Sequence, residues 1–156
     1  AVLEAGEGYI ESRINTDGGD DVIKIPSGTN LSPYYTKETE APKIFMNGQE
    51  TFKFAVSTMT DDILCLADKA GISTDDIKYI VPHQANVRII QYASKRLKIP
   101  MERFFVNIHN YGNTSAASIA IALDELNRTK GLSSGDLIVM SAFGGGLSSG
   151  SCLIKW

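Results

Sequence analysis

Three short stretches of this sequence place hydrogen-bonding side chains or glycines next to apolar segments. They are residues 82–86 (PHQAN), 109–115 (HNYGNTS) and 143–146 (FGGG). An imidazole, an amide and glycine backbone N–H groups that converge would donate hydrogen bonds to an oxyanion. Such preorganised donors stabilise charge that develops in a transition state. The chemistry that these stretches predict is therefore the stabilisation of an oxyanion.

Each stretch also has a purely structural interpretation. A histidine at a strand end, such as His83, is often a hydrogen-bonded structural residue. Asn113, with the two residues after it, has the composition of an ordinary helix N-cap. The glycines at 144–146 suit a tight turn with positive φ. The occurrence of all three stretches in one chain favours the functional interpretation.

The histidines and cysteines do not predict a metal site or a nucleophile. His83 and His109 have no cysteine or carboxylate at ligand spacing beside them, so no metal site is expected. Cys65 lies in helical sequence and Cys152 in the last strand, where small apolar side chains are usual. Two cysteines are too few for a disulfide scaffold, which predicts reduced thiols and a cytoplasmic location.

Strands and helices alternate along the chain, and this order predicts how the three stretches meet. Strands are predicted at 1–5, 8–14, 22–25, 77–81, 103–108, 136–142 and 148–156, and helices at 49–70, 85–97 and 115–128. The alternation predicts one α/β domain with a mixed, largely parallel sheet covered by helices. Because carboxyl ends of parallel strands share one edge, the first two stretches should lie close together.

Composition narrows the class of partner. The chain has 156 residues, 43% of them apolar, and a net charge of −3, which suits one soluble domain without a nucleic-acid-binding field. Its apolar runs are shorter than the roughly 20 residues of a membrane span.

The predicted helix at 85–97 has one basic face. Its apolar stripe is Ile89, Ile90, Ala93 and Leu97, and its basic residues are Arg88, Lys95, Arg96 and Lys98. This face is either solvated or a docking surface for an acidic partner, and the pattern alone leaves both open.

Longer motifs make a family resemblance visible. The segments VPHQANVRII, YGNTSAASIAIALDE and GDLIVMSAFGGGLSSGSCLIKW, in this order and spacing, resemble β-ketoacyl-acyl-carrier-protein synthase III, a condensing enzyme that initiates fatty acid synthesis. MNGQETFKFAV at 46–56 is similar to that family's helix start beneath the pantetheine tunnel. The resemblance covers nearly all of this chain but only the second half of the family's protein, whose nucleophilic cysteine lies in the first half.

The resemblance implies a thiolase-like fold of two similar halves, each with a mixed, mostly parallel five-stranded sheet covered by helices. Residues 1–45 would hold the last strand of the N-terminal half (AVLEA), a linker and the start of the C-terminal half. Residues 46–156 would form the C-terminal condensing-enzyme domain. The full-length protein is expected to be a homodimer, and this chain without the cysteine is expected to be inactive.

The resemblance also implies roles for matched residues. His83 and Asn113 match the catalytic pair that hydrogen-bonds the malonyl thioester carbonyl and stabilises the enolate left by decarboxylation. Five residues match substrate-binding positions: Gly48, Phe52, Asn86, Phe143 and Gly145. Three match the surface that docks acyl carrier protein: Arg88, Lys95 and Arg96. No cofactor or metal is implied, because the substrates are thioesters of coenzyme A and acyl carrier protein.

Two departures from the family pattern leave the starter acyl group open. The chain has His109-Asn110 where the family often has Asp-Arg, and 147–149 read LSS where Phe-Thr-Trp is common. Two other functions therefore stay open. One is a related condensing enzyme of polyketide or other secondary metabolism, and the other is a non-catalytic half-module that binds carrier protein.

Overall fold

A computed structural model of the chain describes residues 6–19, 21–25, 34 and 43–156. The strands of its main sheet are β1 (Tyr9–Thr16), β4 (Ile77–Pro82), β5 (Leu137–Gly144) and β6 (Ser148–Lys155), in the spatial order β1–β6–β5–β4. A separate antiparallel pair consists of β2 (Ile23–Lys24) and β3 (Phe45–Met46). The strand predicted at 1–5 and most of the connection at 26–43 lie outside the described residues.

The described residues form four α-helices, and asparagine side chains cap the first two of them. They are α1 (Gly48–Ala70), α2 (Val87–Leu97), α3 (Ile108–Tyr111) and α4 (Ser118–Lys130). The Asn47 side chain accepts the Glu50 N–H at the start of α1, and Gly71 ends that helix with φ 66°. At the start of α2, Asn86 accepts the Arg88 N–H in the same way. The three predicted helices are therefore confirmed, with boundaries that differ by up to three residues.

Apolar clusters cover both faces of the main sheet. One cluster contains Met59, Ile63 and Leu66 of α1 with Ile90 of α2, all almost completely buried. The other packs Ala122 and Leu126 of α4 against Val81 and Ile138 of the sheet. Adjacent residues of β4 point to opposite clusters, so this strand is buried on both sides. The end of β4 is thereby held between two helical layers.

The α/β class and the mixed sheet covered by helices are confirmed, but two details of the predicted sheet differ. Within the described ranges, β4 pairs with β5 in parallel, whereas β1–β6 and β5–β6 are antiparallel. The sheet is therefore not mostly parallel there. It also contains four strands rather than five, because the segment predicted as a strand at 103–108 makes one isolated parallel bridge, between Phe104 and Ile80.

Gln84 explains why that segment does not continue as a strand. Its Oε1 accepts the backbone N–H groups of Asn107 at 3.0 Å and Ile108 at 3.2 Å. Its Nε2 donates to the carbonyls of Phe105 at 3.0 Å and Pro82 at 2.8 Å. A buried side chain thus takes the bonds that a strand ladder would make, and α3 begins directly afterwards.

The division predicted at residue 45 stays a prediction. β1 pairs with β6 along most of its length, so residues 9–16, in the first half of the 1–45 segment, share a sheet with the end of the chain. In the described part of the chain, no helix is long and apolar enough to cross a membrane.

Replacing Gln84 by leucine should lower the free energy of unfolding by about 3 kcal/mol, because buried backbone donors and acceptors would lose their partner. Gln84 is 1% exposed, so water cannot readily replace the carboxamide. Urea denaturation measures the loss. The matched control is Gln91→Leu on the exposed side of α2, which should change stability by less than about 0.5 kcal/mol. Equal losses in the two variants would contradict the role of Gln84.

Candidate functional site

The three polar stretches meet in a cleft of about 560 Å³ at the carboxyl ends of β4 and β5. Its lining includes every residue predicted for catalysis or substrate binding: Gly48, Phe52, His83, Asn86, Asn113, Phe143 and Gly145. The volume lies within the usual range of small-molecule sites. The expected proximity of the strand ends is therefore confirmed, while the roles of these residues stay predictions.

Most of the cleft wall is apolar. It is formed chiefly by Met46, Phe52, Ile89, Ile119 and Phe143. The Phe52 ring is fixed by an edge-to-face contact with Tyr92, with centroids 5.3 Å apart. A wall of this kind excludes water, and hydrogen bonds inside it are electrostatically stronger than hydrogen bonds in water.

His83 is held in the cleft by its backbone and by its ring. Its N–H donates to the Ser141 carbonyl of β5 at 2.8 Å, although β4 itself ends at Pro82. Its Nδ1 lies 2.6 Å from the hydroxyl of Ser118, the first residue of α4. The Phe143 ring contacts the imidazole edge to face at 5.4 Å. These contacts come from β5 and α4 and leave the ring one orientation.

The hydrogen-bond network assigns the tautomer of His83. Ser118 is 2% exposed, and the Gln84 backbone N–H points at its Oγ from 3.4 Å. Among the residues that the structure describes, the Ser118 hydroxyl has no acceptor other than Nδ1 of His83. Ser118 therefore donates to Nδ1, which places the ring proton on Nε2. Within the same residues Nε2 has no partner, so its N–H is available to a ligand.

Burial lowers the pKa of His83 below its ordinary value of 6.5. The imidazole is therefore neutral at pH 7 and donates from Nε2 without carrying a charge. In the unfolded chain the ring protonates near pH 6.5. With respect to this group, the free energy of unfolding has its full value above about pH 6.5. It decreases as the pH falls below that value, because the unfolded state then binds a proton that the folded state does not.

Asn113 combines a local structural contact with a free donor. Its Oδ1 accepts the Ser115 N–H at 3.0 Å and so supports Ser115 at the unusual φ of 51°. It does not cap α4, because one 3₁₀ turn at 115–117 intervenes and α4 begins at Ser118. The N-cap interpretation was therefore wrong. The Asn113 Nδ2 makes no hydrogen bond in the described part of the chain, and Asn113 is one of the residues that line the cleft.

Two further predicted residues shape the rim of the cleft. Asn86 caps α2 through Oδ1, and its side chain is exposed at the entrance. A Cβ on Gly145 would lie 3.4 Å from the Ile23 carbonyl and 3.6 Å from its Cγ2, which is ordinary van der Waals contact. β2 therefore packs against the loop between β5 and β6 at Gly145.

The three predicted docking residues lie outside the cleft, on the exposed side of α2. Arg88 stands one turn from the rim, since its neighbours Asn86 and Ile89 line the cleft. Lys95 lies 5.9 Å from the centroid of the Tyr92 ring. Arg96 forms a 3.8 Å ion pair with Asp61 of α1. The basic face is thus continuous with the cleft entrance, but Arg96 is partly neutralised.

Two residues of the hydrogen-bond network around His83 were not predicted from the sequence. Gln84 stands inside the quoted PHQAN motif, but its position gives no indication that its side chain is buried. Ser118 is 35 residues from His83, and no local pattern indicates that the two side chains meet. Neither Cys65 nor Cys152 lines the cleft. In the described ranges, no group of three or more His, Cys, Asp or Glu residues is arranged to hold a metal ion.

The chain resembles known proteins along its whole length. Residues 67–156 match the family model described as 3-oxoacyl-[acyl-carrier-protein (ACP)] synthase III C terminal. A relative from Clostridium novyi (strain NT), named beta-ketoacyl-[acyl-carrier-protein] synthase III, is 45% identical over 160 residues, which is 100% of this chain and 49% of the relative. The chain thus spans about half the length of the curated relatives it matches.

Solved structures share the fold. The beta-ketoacyl-[acyl carrier protein] synthase III of Thermus thermophilus superposes with a TM-score of 0.86 and 36% identity, covering 99% of this chain and 48% of that one. A priming beta-ketosynthase from the R1128 polyketide pathway gives a TM-score of 0.83 and 30% identity, covering 95% of this chain and 45% of that one. These matches confirm the thiolase-like fold predicted from the resemblance.

Nitrogen-15 NMR of the two imidazoles tests the assigned tautomer. At pH 7.5 His83 should show the Nε2–H pattern, and on acidification it should titrate below 6.5 because burial lowers its pKa. Ser118→Ala should reduce the tautomer preference, because it removes the hydroxyl that donates to Nδ1. Ser134→Ala, in the exposed turn before β5, is the control and should leave the pattern unchanged. An Nδ1–H pattern in the unsubstituted chain would refute the assignment.

Proposed function

Because the chain belongs to the family of 3-oxoacyl-[acyl-carrier-protein] synthase III C-terminal domains, we propose that its cleft carries out the decarboxylation half of a condensation reaction. The whole protein joins a starter acyl group from coenzyme A to malonyl-acyl-carrier-protein and thereby initiates fatty acid synthesis. The observation that carries this proposal is the cleft itself. It presents two uncommitted N–H donors, Nε2 of His83 and Nδ2 of Asn113, beside an apolar wall.

The two donors suit the charge that forms in this reaction. When the bond between the malonyl carboxylate and its α-carbon breaks, carbon dioxide leaves and the electron pair moves into an enolate. The negative charge rests on the thioester oxygen, where His83 and Asn113 donate hydrogen bonds to it. Donors fixed before the reaction stabilise this charge without reorganisation, and the neutral state of His83 suits donation rather than proton abstraction.

The second half of the reaction requires a nucleophile from elsewhere. The enolate carbon attacks the carbonyl of an acyl-cysteine, the thiolate leaves, and the product is a 3-oxoacyl thioester on the carrier protein. Both cysteines of this chain are absent from the cleft lining. We therefore assign the acyl-cysteine to another part of the whole protein, and the present 156 residues alone should not catalyse condensation.

Acyl carrier protein and acyl-CoA are the proposed partners. The rim residue Asn86 and the apolar wall suit a pantetheine arm, which is an extended chain with amide groups. The basic face of α2 beside the entrance suits the acidic surface of a carrier protein. A homodimer of the whole protein and a cytoplasmic location remain predictions from the resemblance and from the free cysteines.

A priming enzyme of polyketide synthesis is the second candidate. The similarity to the R1128 ketosynthase favours it, since that structure shares the fold at 30% identity. The two candidates use the same decarboxylation chemistry and differ in the starter acyl group. Profiling the whole protein with short, branched and longer acyl-CoA starters distinguishes them. The third alternative, a non-catalytic half that binds carrier protein, would be excluded by a decarboxylation rate that depends on His83.

In the whole protein, His83→Ala or Asn113→Ala should each lower the rate of malonyl decarboxylation about 10²–10³-fold, which is the usual effect of losing one oxyanion donor. Transfer of the acyl group from acyl-CoA to cysteine should change far less, since that step does not form the enolate. Radiolabelled carbon dioxide release and trapping of the acyl-enzyme measure the two half-reactions separately.

His109→Ala is the matched control for these substitutions. His109 is the other histidine of the chain, is exposed and does not line the cleft, so both half-reactions should keep their rates. Equal losses of decarboxylation and acylation in the His83 and Asn113 variants would contradict the assigned roles.

Reversing the charge of Arg88 and Lys95 together should weaken carrier-protein binding by about tenfold or more at low salt, because opposite charges steer and hold this contact. The difference should shrink as salt screens it. Titration calorimetry with acyl carrier protein measures the change. Lys130→Glu at the end of α4 alters an exposed charge on another surface and should bind normally. Unchanged affinity in the double variant would assign the basic face to solvent.

A further inference from the structure

A second cavity, of about 220 Å³, lies between α1, β1 and β6 and shares no lining residue with the cleft. It is mainly polar, and its lining comprises Arg13, Asn15, Asp17, Phe54, Ser57, Thr58, Asp61, Asp62 and Ser149. Most of the interface between α1 and the sheet is apolar, as at Ile63 and Leu153. A polar pocket in such an interface needs a physical explanation.

Three buried oxygen atoms without partners among the described residues lie in or beside this cavity: those of Asp62 and Ser149, which line it, and that of Ser151, which does not. Asp62 is 2% exposed, and its Oδ2 makes no hydrogen bond within the described ranges, while its Oδ1 lies 3.4 Å from Arg13. Ser149 and Ser151 are 5% and 6% exposed, and their hydroxyls likewise lack partners among the described residues. Unsatisfied polar atoms at this depth are costly and are usually paired with a water or an ion.

The three residues converge because of strand periodicity. Ser149 and Ser151 are alternate residues of β6 and point to the face that α1 covers, as does the buried Leu153. Burial raises the pKa of Asp62, whereas Arg13 and the hydroxyls of Ser151 and Ser149 oppose that effect. The hydroxyls therefore lie near enough to the carboxylate to affect its pKa through hydrogen bonding, but Asp62 Oδ2 and the two hydroxyls make no contact with hydrogen-bond geometry in the described ranges, so the three oxygens form one loosely bonded cluster.

The charge of the cavity selects the class of ligand. Three carboxylates and one guanidinium line it, so its net charge is negative and anions are disfavoured. The Asp61 carboxylate is occupied, since it accepts the Ser57 hydroxyl at 3.2 Å and pairs with Arg96 at 3.8 Å. Asp17 is exposed, and Oδ1 of Asp62 pairs with Arg13, so Oδ2 of one buried carboxylate and two hydroxyls remain. Oxygen ligands suit hard cations, and a single buried carboxylate suits a charge of +1 better than +2.

We propose that this cavity binds a monovalent cation, K⁺ or Na⁺, through Oδ2 of Asp62 and the hydroxyls of Ser149 and Ser151. The ion offsets the burial of the Asp62 carboxylate and joins α1 to β6. Water completes the coordination, for which the cavity has room. The site is independent of the proposed catalytic function, because none of its residues reaches the cleft.

Thermal unfolding in matched salts tests the proposal. The chain is unfolded in KCl, NaCl and N-methyl-D-glucamine chloride at one ionic strength and followed by circular dichroism. An ion present at ten times its Kd should raise the unfolding temperature by about 3 °C relative to the bulky organic cation. Asp62→Asn should unfold at the same temperature in all three salts. Asp68→Asn, an exposed carboxylate on the same helix, should keep the response.

Ser149→Ala and anomalous scattering supply independent evidence. Ser149→Ala removes one proposed ligand and should reduce the alkali-ion shift even if Asp62→Asn fails to fold. Crystals grown in Rb⁺ should show an anomalous peak beside Asp62 Oδ2. Equal unfolding temperatures in all three salts, a full response in Asp62→Asn, or density for water alone would overturn the proposal.

Discussion

Four backbone groups are held by the side chain of Gln84, and these bonds join the end of β4 to the segment that leads into α3. A carboxamide offers two donors and two acceptor sites, so the hydrogen-bonding capacity of Gln84 is fully used. The adjacent backbone N–H of Gln84 approaches Ser118 Oγ, whose hydroxyl in turn bonds His83. The side-chain bonds of Gln84 and the bond that orients the imidazole therefore meet at the backbone of Gln84. Satisfied networks of this kind make a site rigid.

The two proposed donors are prepared to different degrees. His83 is held by β5 through its backbone and by α4 through its ring, and it is half-buried against Phe143. Asn113 is exposed and is held by one local bond to Ser115. The imidazole therefore loses little conformational entropy when it binds an oxyanion. The Asn113 amide loses more, because only its own turn orders it. A substrate that fills the apolar cleft would strengthen both bonds by excluding water.

The sequence predicted the parts of the fold that follow from local patterns, and it failed where a distant side chain decides. Helical periodicity predicted α1 and α2, and the polar stretches placed after predicted strands predicted the cleft. The segment after Phe104 has strand-like composition, yet Gln84 takes its backbone bonds, and no local pattern records that. Ser118 reads as a small helix residue until α4 is placed beside β4. Asp62 sits next to an apolar stripe, and only the packing of α1 on β6 shows that its carboxylate is buried.

Two polar clusters at the same sheet thus differ in one physical respect. Around Gln84, every buried donor and acceptor finds a partner within the chain, so the cluster is complete as it stands. Around Asp62, a carboxylate and two hydroxyls are buried just as deeply with an oxygen atom left unpaired on each. Serine at 149 and 151 adds no apolar contact to the core that would compensate for this cost. A bound group that supplies positive charge explains why these oxygens are buried without partners. The net negative charge of the residues that line the cavity is complementary to such a group.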